Sequence, residues 1–350
     1  MRVAVLYGPR DVRLEERDEP KIIKPTDSLI RVSSACVCGS DLWPYRGIQP
    51  IAQPTPMGHE YCGVVEEVGS EVRNIKPGQF VVASFATSDN TCVICRDGYQ
   101  SSCVQREFMS GAQAPFLRVP LADGTLVATP DLPSEDLIPS LLTLSDVMGT
   151  GWFAADAANV KPGSTVVVVG DGAVGLLGVL SAKQMGAKRI IAMGRHASRQ
   201  KLAREFGATD VVEERGEGAV ERIKEMTEGI GADSVLECVG TQESMMQAIN
   251  STRPGGYLGY VGVPHGVSLD GEQLFFAHVH LHGGPAPVRR YLPELIRLVL
   301  NRKINPGKVF DLTLPLDQVA EGYRAMDERR AIKALLRPSA NAKHGVRHAA

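Results

Sequence analysis

Val166-Val-Val-Val-Gly170-Asp-Gly172-Ala-Val-Gly175 is the stretch on which the fold turns. Four β-branched residues in a row read as a strand buried on both faces, and the run breaks directly into three glycines spaced G-x-G-x-x-G. A helical pattern follows, from Val174 to Met185. A strand that enters a helix through glycines at this spacing suits a dinucleotide. Gly170 permits the tight turn, Gly172 lets the backbone approach a pyrophosphate, and Gly175 lets helix and strand pack closely. The helix N-terminus, through Ala173 and Val174, then faces the anion.

Which dinucleotide is bound depends on the end of the next strand, Arg189-Ile-Ile-Ala-Met193. An NAD site usually places an acidic side chain there, about 20 residues beyond the glycines. This chain has Gly194, then Arg195 and His196, with Arg199 close behind. A carboxylate would repel a 2′-phosphate, whereas glycine leaves room for one and Arg195 can pair with it in forked geometry. NADP(H) is expected over NAD(H). The alternative is that Arg195 and Arg199 merely begin a solvated helix.

Around this core the texture changes twice. Residues 1–147 are rich in Gly, Pro and short β-branched runs such as Leu29 to Ser33 and Tyr61 to Val65, the pattern of an all-β domain with long loops. From about residue 160 apolar strands alternate with amphipathic segments, which implies a parallel sheet. Beyond Gly283 a helical stretch, Tyr291 to Asn301, and a strand near Val309 to Thr313 leave that rhythm, as expected if residues 285–350 return to the first domain. The dinucleotide domain is accordingly placed at 148–284. The tail from Ser339 is small and polar and is expected to fray.

A chain of 350 residues suits two interlocked domains, and 43% hydrophobic residues support folded ones. With 38 Lys+Arg against 40 Asp+Glu there is no basic field for nucleic acid or an anionic membrane. The N-terminus has no signal-peptide pattern, and no apolar run is long enough to span a bilayer, so a cytoplasmic protein is expected. Seven cysteines then read better as metal ligands or buried thiols than as disulfides. Cys36, Cys62 and Cys238 fit small core residues.

Two upstream segments carry the chemistry: Cys36-Val-Cys38-Gly-Ser40-Asp41-Leu-Trp43 and Gly58-His59-Glu60-Tyr-Cys-Gly63. Here the chain resembles the zinc-containing medium-chain alcohol dehydrogenases, whose motifs read C-x-S/T-D and G-H-E-x-x-G-x-V. The resemblance runs through the glycine motif to Ile332-Lys333-Ala-Leu335. It implies a GroES-like β catalytic domain joined to a Rossmann domain in an α/β chain.

Position by position, the resemblance makes Cys38 and His59 zinc ligands, Asp41 the partner that orients His59, and Glu60 an acidic neighbour beneath the metal. The family's third ligand, commonly a cysteine, falls on Asp146, before Val147-Met-Gly-Thr-Gly-Trp152. Thiolate, imidazole and carboxylate neutralise Zn²⁺ as well as two thiolates and an imidazole, and leave a fourth position for substrate. Asp146 could instead cap the helix after it, and Glu60 is the rival ligand. Ser40 matches the hydroxyl that bonds the substrate oxygen. Trp43 stands where many relatives place a relay histidine, so it is expected to wall the pocket while the proton leaves by another route. Lys333 matches a basic position at the cofactor pyrophosphate; on a helix it would be only a solvated charge.

Asp89-Asn-Thr-Cys92-Val-Ile-Cys95 to Cys103 resembles the family's structural-zinc lobe, with Asp89 in the first cysteine's place. Three thiolates and a carboxylate still close a tetrahedron. The implied activity is hydride transfer between NADP(H) and a small alcohol, aldehyde or ketone, in a homo-oligomer, dimer or tetramer. Two other readings are an NADPH-dependent quinone or enone reductase, which would lack Cys38 and His59, and a silent NADPH-binding protein. His278-Val-His280-Leu-His282 offers three imidazoles on one face of a strand, but packing or a solvated face explains them better than a metal does.

Overall fold

Thr165–Val169 lies third in a six-stranded sheet ordered Asp210–Val212, Arg189–Met193, Thr165–Val169, Ala232–Glu237, Thr252–Tyr260, His280–Gly283. All its pairings are parallel. The chain builds outward to one side of Thr165–Val169, then to the other, so the carboxyl end of that strand is the switch point at which open α/β sheets take ligands. Val166 to Val169 are buried, as the apolar run requires. The helix Ala173–Gln184 buries Leu176, Leu177, Val179 and Leu180.

This Rossmann sheet belongs to a compact unit made of Ser88–Arg106 and Pro139–Val309, larger than the expected 148–284. Long-range packing moves the boundaries. The helix Val147–Ala157 packs on Ala173–Gln184 and on the strand Thr252–Tyr260, and Val288–Leu300 packs in turn on Val147–Ala157. The loop from Ser88 is tied in by Ser101 Oγ, which donates to Pro285 O at 2.7 Å.

The second unit comprises Met1–Thr87, Glu107–Ile138 and the chain from Phe310. Its main sheet runs Leu312–Pro315, Ala334–Arg337, Ser28–Cys36, Tyr61–Val68, Phe80–Ala83, Leu126–Ala128, with Phe116–Val119 also paired to Ser28–Cys36. Its pairings are antiparallel except that between Leu312–Pro315 and Ala334–Arg337. Val32, Ala35, Tyr61, Val65, Val81 and Leu126 fill one core. The strand expected near Val309 to Thr313 begins only at Leu312, because Pro306–Val309 closes a 3₁₀ turn whose Gly307 amide donates to Ser140 Oγ.

The computed structural model describes residues 1–52 and 54–338. The expectation for the tail from Ser339 lies outside the described residues. Among them no helix is long and apolar enough to cross a membrane.

Candidate active site and metal lobe

At the switch point the glycines act as their spacing predicts. Gly170 has φ +116°, and a Cβ on Gly175 would lie 1.9 Å from Gly170 O. Nothing lies within 4 Å of a Cβ built on Gly172, which precedes the helix Ala173–Gln184 and leaves open space at its N-terminus. This cradle fits a pyrophosphate: bare backbone, free approach and a positive helix end.

The end of the neighbouring strand differs from the expectation. The room beside Gly194 is filled by Asp171: a Cβ on Gly194 would come within 2.6 Å of Asp171 Cβ and 2.9 Å of its Oδ2. Arg199 Nη1 donates to Asp171 O (3.3 Å) and Oδ1 (3.2 Å), so it is no solvated charge. Gln200 Nε2 donates to Gly194 O at 2.9 Å and fixes the turn. Arg195 is exposed and His196 half-buried, ahead of the helix Ala197–Phe206 without capping it. Asp171 and Gln200 escaped the sequence reading. Asp171 stands at an x of the motif, where spacing demands nothing.

In the β unit, the strand Ser28–Cys36 ends in a turn that presents Cys38, and the start of Tyr61–Val68 presents His59 and Glu60. The ligand atoms of Cys38, His59 and Glu60 all lie within 4.8 Å of one another. Asp41 ties the two segments. Its Oδ2 accepts from the Cys38 amide at 3.0 Å and its Oδ1 lies 3.4 Å from His59 Nδ1, which turns Nε2 toward the cluster. Ser40 Oγ lies 3.5 Å from that Nε2. Gly58, at φ +94°, passes so near Gln113 that a Cβ would meet its side chain at 2.5 Å. Gln113 in turn donates to Cys36 O at 3.1 Å and accepts from the buried Tyr323 hydroxyl at 3.1 Å, so a residue remote in sequence braces both segments. Trp43 is half-buried in the short helix Leu42–Tyr45, with the Arg46 guanidinium 5.9 Å over its ring.

Lys333 corrects the reading. It is fully buried just before the strand Ala334–Arg337, on no helix, and its ammonium donates to Glu60 Oε1 at 2.6 Å and Val37 O at 3.1 Å. The charge expected at the pyrophosphate is spent on the carboxylate beneath the thiol and imidazole.

In the other unit, buried Asp146 precedes Val147–Ala157 without a side-chain capping bond; its Oδ1 accepts from Thr150 Oγ1 at 2.7 Å instead. The capping alternative therefore fails. The lobe places Asp89, Cys92, Cys95 and Cys103 with ligand atoms within 4.8 Å of one another. Asp89 Oδ1 accepts the Thr91 and Cys92 amides and Oδ2 accepts Gln105 Nε2 at 3.0 Å. Against the cost of burial these donors hold its carboxyl well below the usual aspartate range. Three sulfurs and a hard oxygen at these separations suit a tetrahedral divalent cation. The histidines do not cluster: His278 ends the helix Gly271–Ala277 at φ +53°, off the strand, while His280 stacks on Tyr257 and His282 meets Phe153 edge-on.

The alcohol dehydrogenase GroES-like domain family matches residues 24–131, and the zinc-binding dehydrogenase family matches 173–301. Zinc-type alcohol dehydrogenase B of Aspergillus flavus is 34% identical, over 96% of this chain and 81% of its own. An NADP-dependent isopropanol dehydrogenase of Clostridium beijerinckii is 30% identical, over 94% of this chain and 95% of its own. Among solved structures, an alcohol dehydrogenase from Thermus sp. ATN1 superposes with TM-score 0.89 at 30% identity, over 97% of this chain and all of that one. With the glycine turn and the thiol–imidazole–carboxylate cluster in place, these matches make the chain a member of the zinc-dependent medium-chain alcohol dehydrogenases, an oxidoreductase family.

Proposed function

We propose that the protein transfers hydride between NADP(H) and a small alcohol, aldehyde or ketone, using a catalytic zinc held by Cys38, His59 and Asp146. The observation that carries this reading is the Cys38–His59–Glu60 cluster with Asp41 on His59 Nδ1. Bound zinc supplies Lewis-acid polarisation of a hydroxyl or carbonyl oxygen, and bound nicotinamide supplies the hydride acceptor or donor. Asp41 fixes the imidazole tautomer. Ser40 Oγ, beside His59 Nε2, holds the substrate hydroxyl proton, and Trp43 closes the pocket where a relay histidine is missing. Glu60, with Lys333 behind it, sets the charge beneath the ligands. Gly170, Gly172, Ala173, Val174 and Gly175 cradle the pyrophosphate.

Asp89, Cys92, Cys95 and Cys103 are proposed to hold a structural zinc. Support for NADP(H) comes from the exposed Arg195 beyond Gly194 and from the cofactor named for the Clostridium beijerinckii relative. We propose further that copies associate through the cofactor unit, where Phe275 and Phe276 stand 77% and 73% exposed beside the edge strand His280–Gly283.

Zinc analysis by plasma emission should count one ion for each cluster, and a lower count would remove one assignment. Cys38→Ser or His59→Ala should abolish NADPH consumption across a panel of aldehydes and ketones while NADPH still binds. Wild-type rates in either variant would refute the zinc role.

A further inference from the structure

Asp171 sits inside the glycine motif, and its carboxylate faces the end of the adjacent strand. Oδ1 is taken by Arg199 Nη1 at 3.2 Å, while Oδ2 is buried and makes no hydrogen bond among the described residues. Oδ2 lies 2.9 Å from where a side chain on residue 194 would begin. The carboxylate that an NAD site usually carries at the strand end is thus delivered to the same place from across the turn. Gly170, Asp171, Met193, Gly194, Arg199 and Gln200 are among the residues that line one hollow, and Asp171, with its buried Oδ2, forms part of that wall.

We propose that Asp171 sets the choice of cofactor: Oδ2 accepts a hydrogen bond from the 2′-hydroxyl of an adenosine ribose and opposes a 2′-phosphate by like charge. Arg199 neutralises that carboxylate in part, and the exposed Arg195 supplies a second cation, so wild type is a compromise that binds both dinucleotides. The two side chains act with opposite sign. Removing the Asp171 charge favours the phosphorylated cofactor, whereas removing the Arg199 charge leaves the carboxylate unopposed and disfavours it. The proposal rests on the dinucleotide reading of the glycine turn and qualifies the NADP(H) preference built on Gly194.

Titration calorimetry of NADPH and NADH into the zinc-loaded full chain tests it without any substrate. In Asp171→Asn the ratio of the two dissociation constants is expected to move about tenfold toward NADPH, equivalent to about 1.4 kcal/mol. In Arg199→Gln it should move toward NADH. Opposite directions cannot come from a damaged fold, which weakens both ligands alike. An unchanged ratio in Asp171→Asn, or a shift the same way in both variants, overturns the proposal. A wild type that ignores NADPH would end both the NADP(H) reading and the claim that wild type binds both dinucleotides, while a gain of NADPH binding in Asp171→Asn would still support the role of Asp171. A chain that binds neither would end the dinucleotide reading and the proposal with it.

Discussion

At the scale of single residues, the buried pair Lys333–Glu60 makes the sharpest demand. Both side chains are out of water, and a buried ion pair that loses one partner costs far more than the intact pair gives. Lys333→Met should lower stability by about 3–5 kcal/mol in urea denaturation. A loss below about 1 kcal/mol would mean that the carboxylate finds another counter-charge. Asp41→Asn should leave the fold intact yet cut turnover or zinc affinity about 10–100-fold, since it acts by aiming His59. Equal kinetics and metal content would remove Asp41 from that role. Cys38, His59 and Asp41 were legible because their spacing is fixed by two short segments. Lys333 was not, since nothing local says that Ala334–Arg337 pairs with Ser28–Cys36 and carries the ammonium to Glu60.

At the scale of elements, the strand Thr165–Val169 starts one residue before the apolar run from Val166 and ends with it, and its partner Arg189–Met193 has the bounds read from the sequence. The helix between them starts at Ala173, one residue before the periodicity suggested. Arg189 joins the neighbouring strand by a two-pronged bond to Asp210, at 2.9 and 3.1 Å, which holds the Asp210 carboxyl below its usual range. A depressed carboxyl gives its stability above its unfolded pKa, about 3.9, and loses it as the pH falls through the lower folded value. Asp210→Asn should therefore cost less than about 1 kcal/mol near neutrality, because the pair is partly exposed, and nothing in strong acid. Thermal unfolding of both proteins across that range checks the sign. A gap that widens on acidification would contradict it.

At the scale of the whole molecule, both architectures could be read in advance but their limits could not. The β texture and the βαβ rhythm are local patterns. Whether Val147–Ala157 and Val288–Leu300 join the Rossmann unit is decided by faces that meet far apart in sequence. The exposed pair Phe275 and Phe276 bears on assembly: Phe275→Ser with Phe276→Ser should shift the sedimentation profile toward monomer. An unchanged profile, or a wild type already monomeric, would reject association at this face.

The carboxylate at position 89 also changes how the lobe meets oxidants. Cys92, Cys95 and Cys103 are an odd set, and aspartate cannot be oxidised in their place. Joining any two as a disulfide leaves a third sulfur within 4.8 Å, so exchange can shuffle the bond among the three but cannot pair them all. A lobe of four cysteines can lock itself shut as two disulfides; this one always keeps a sulfur in hand.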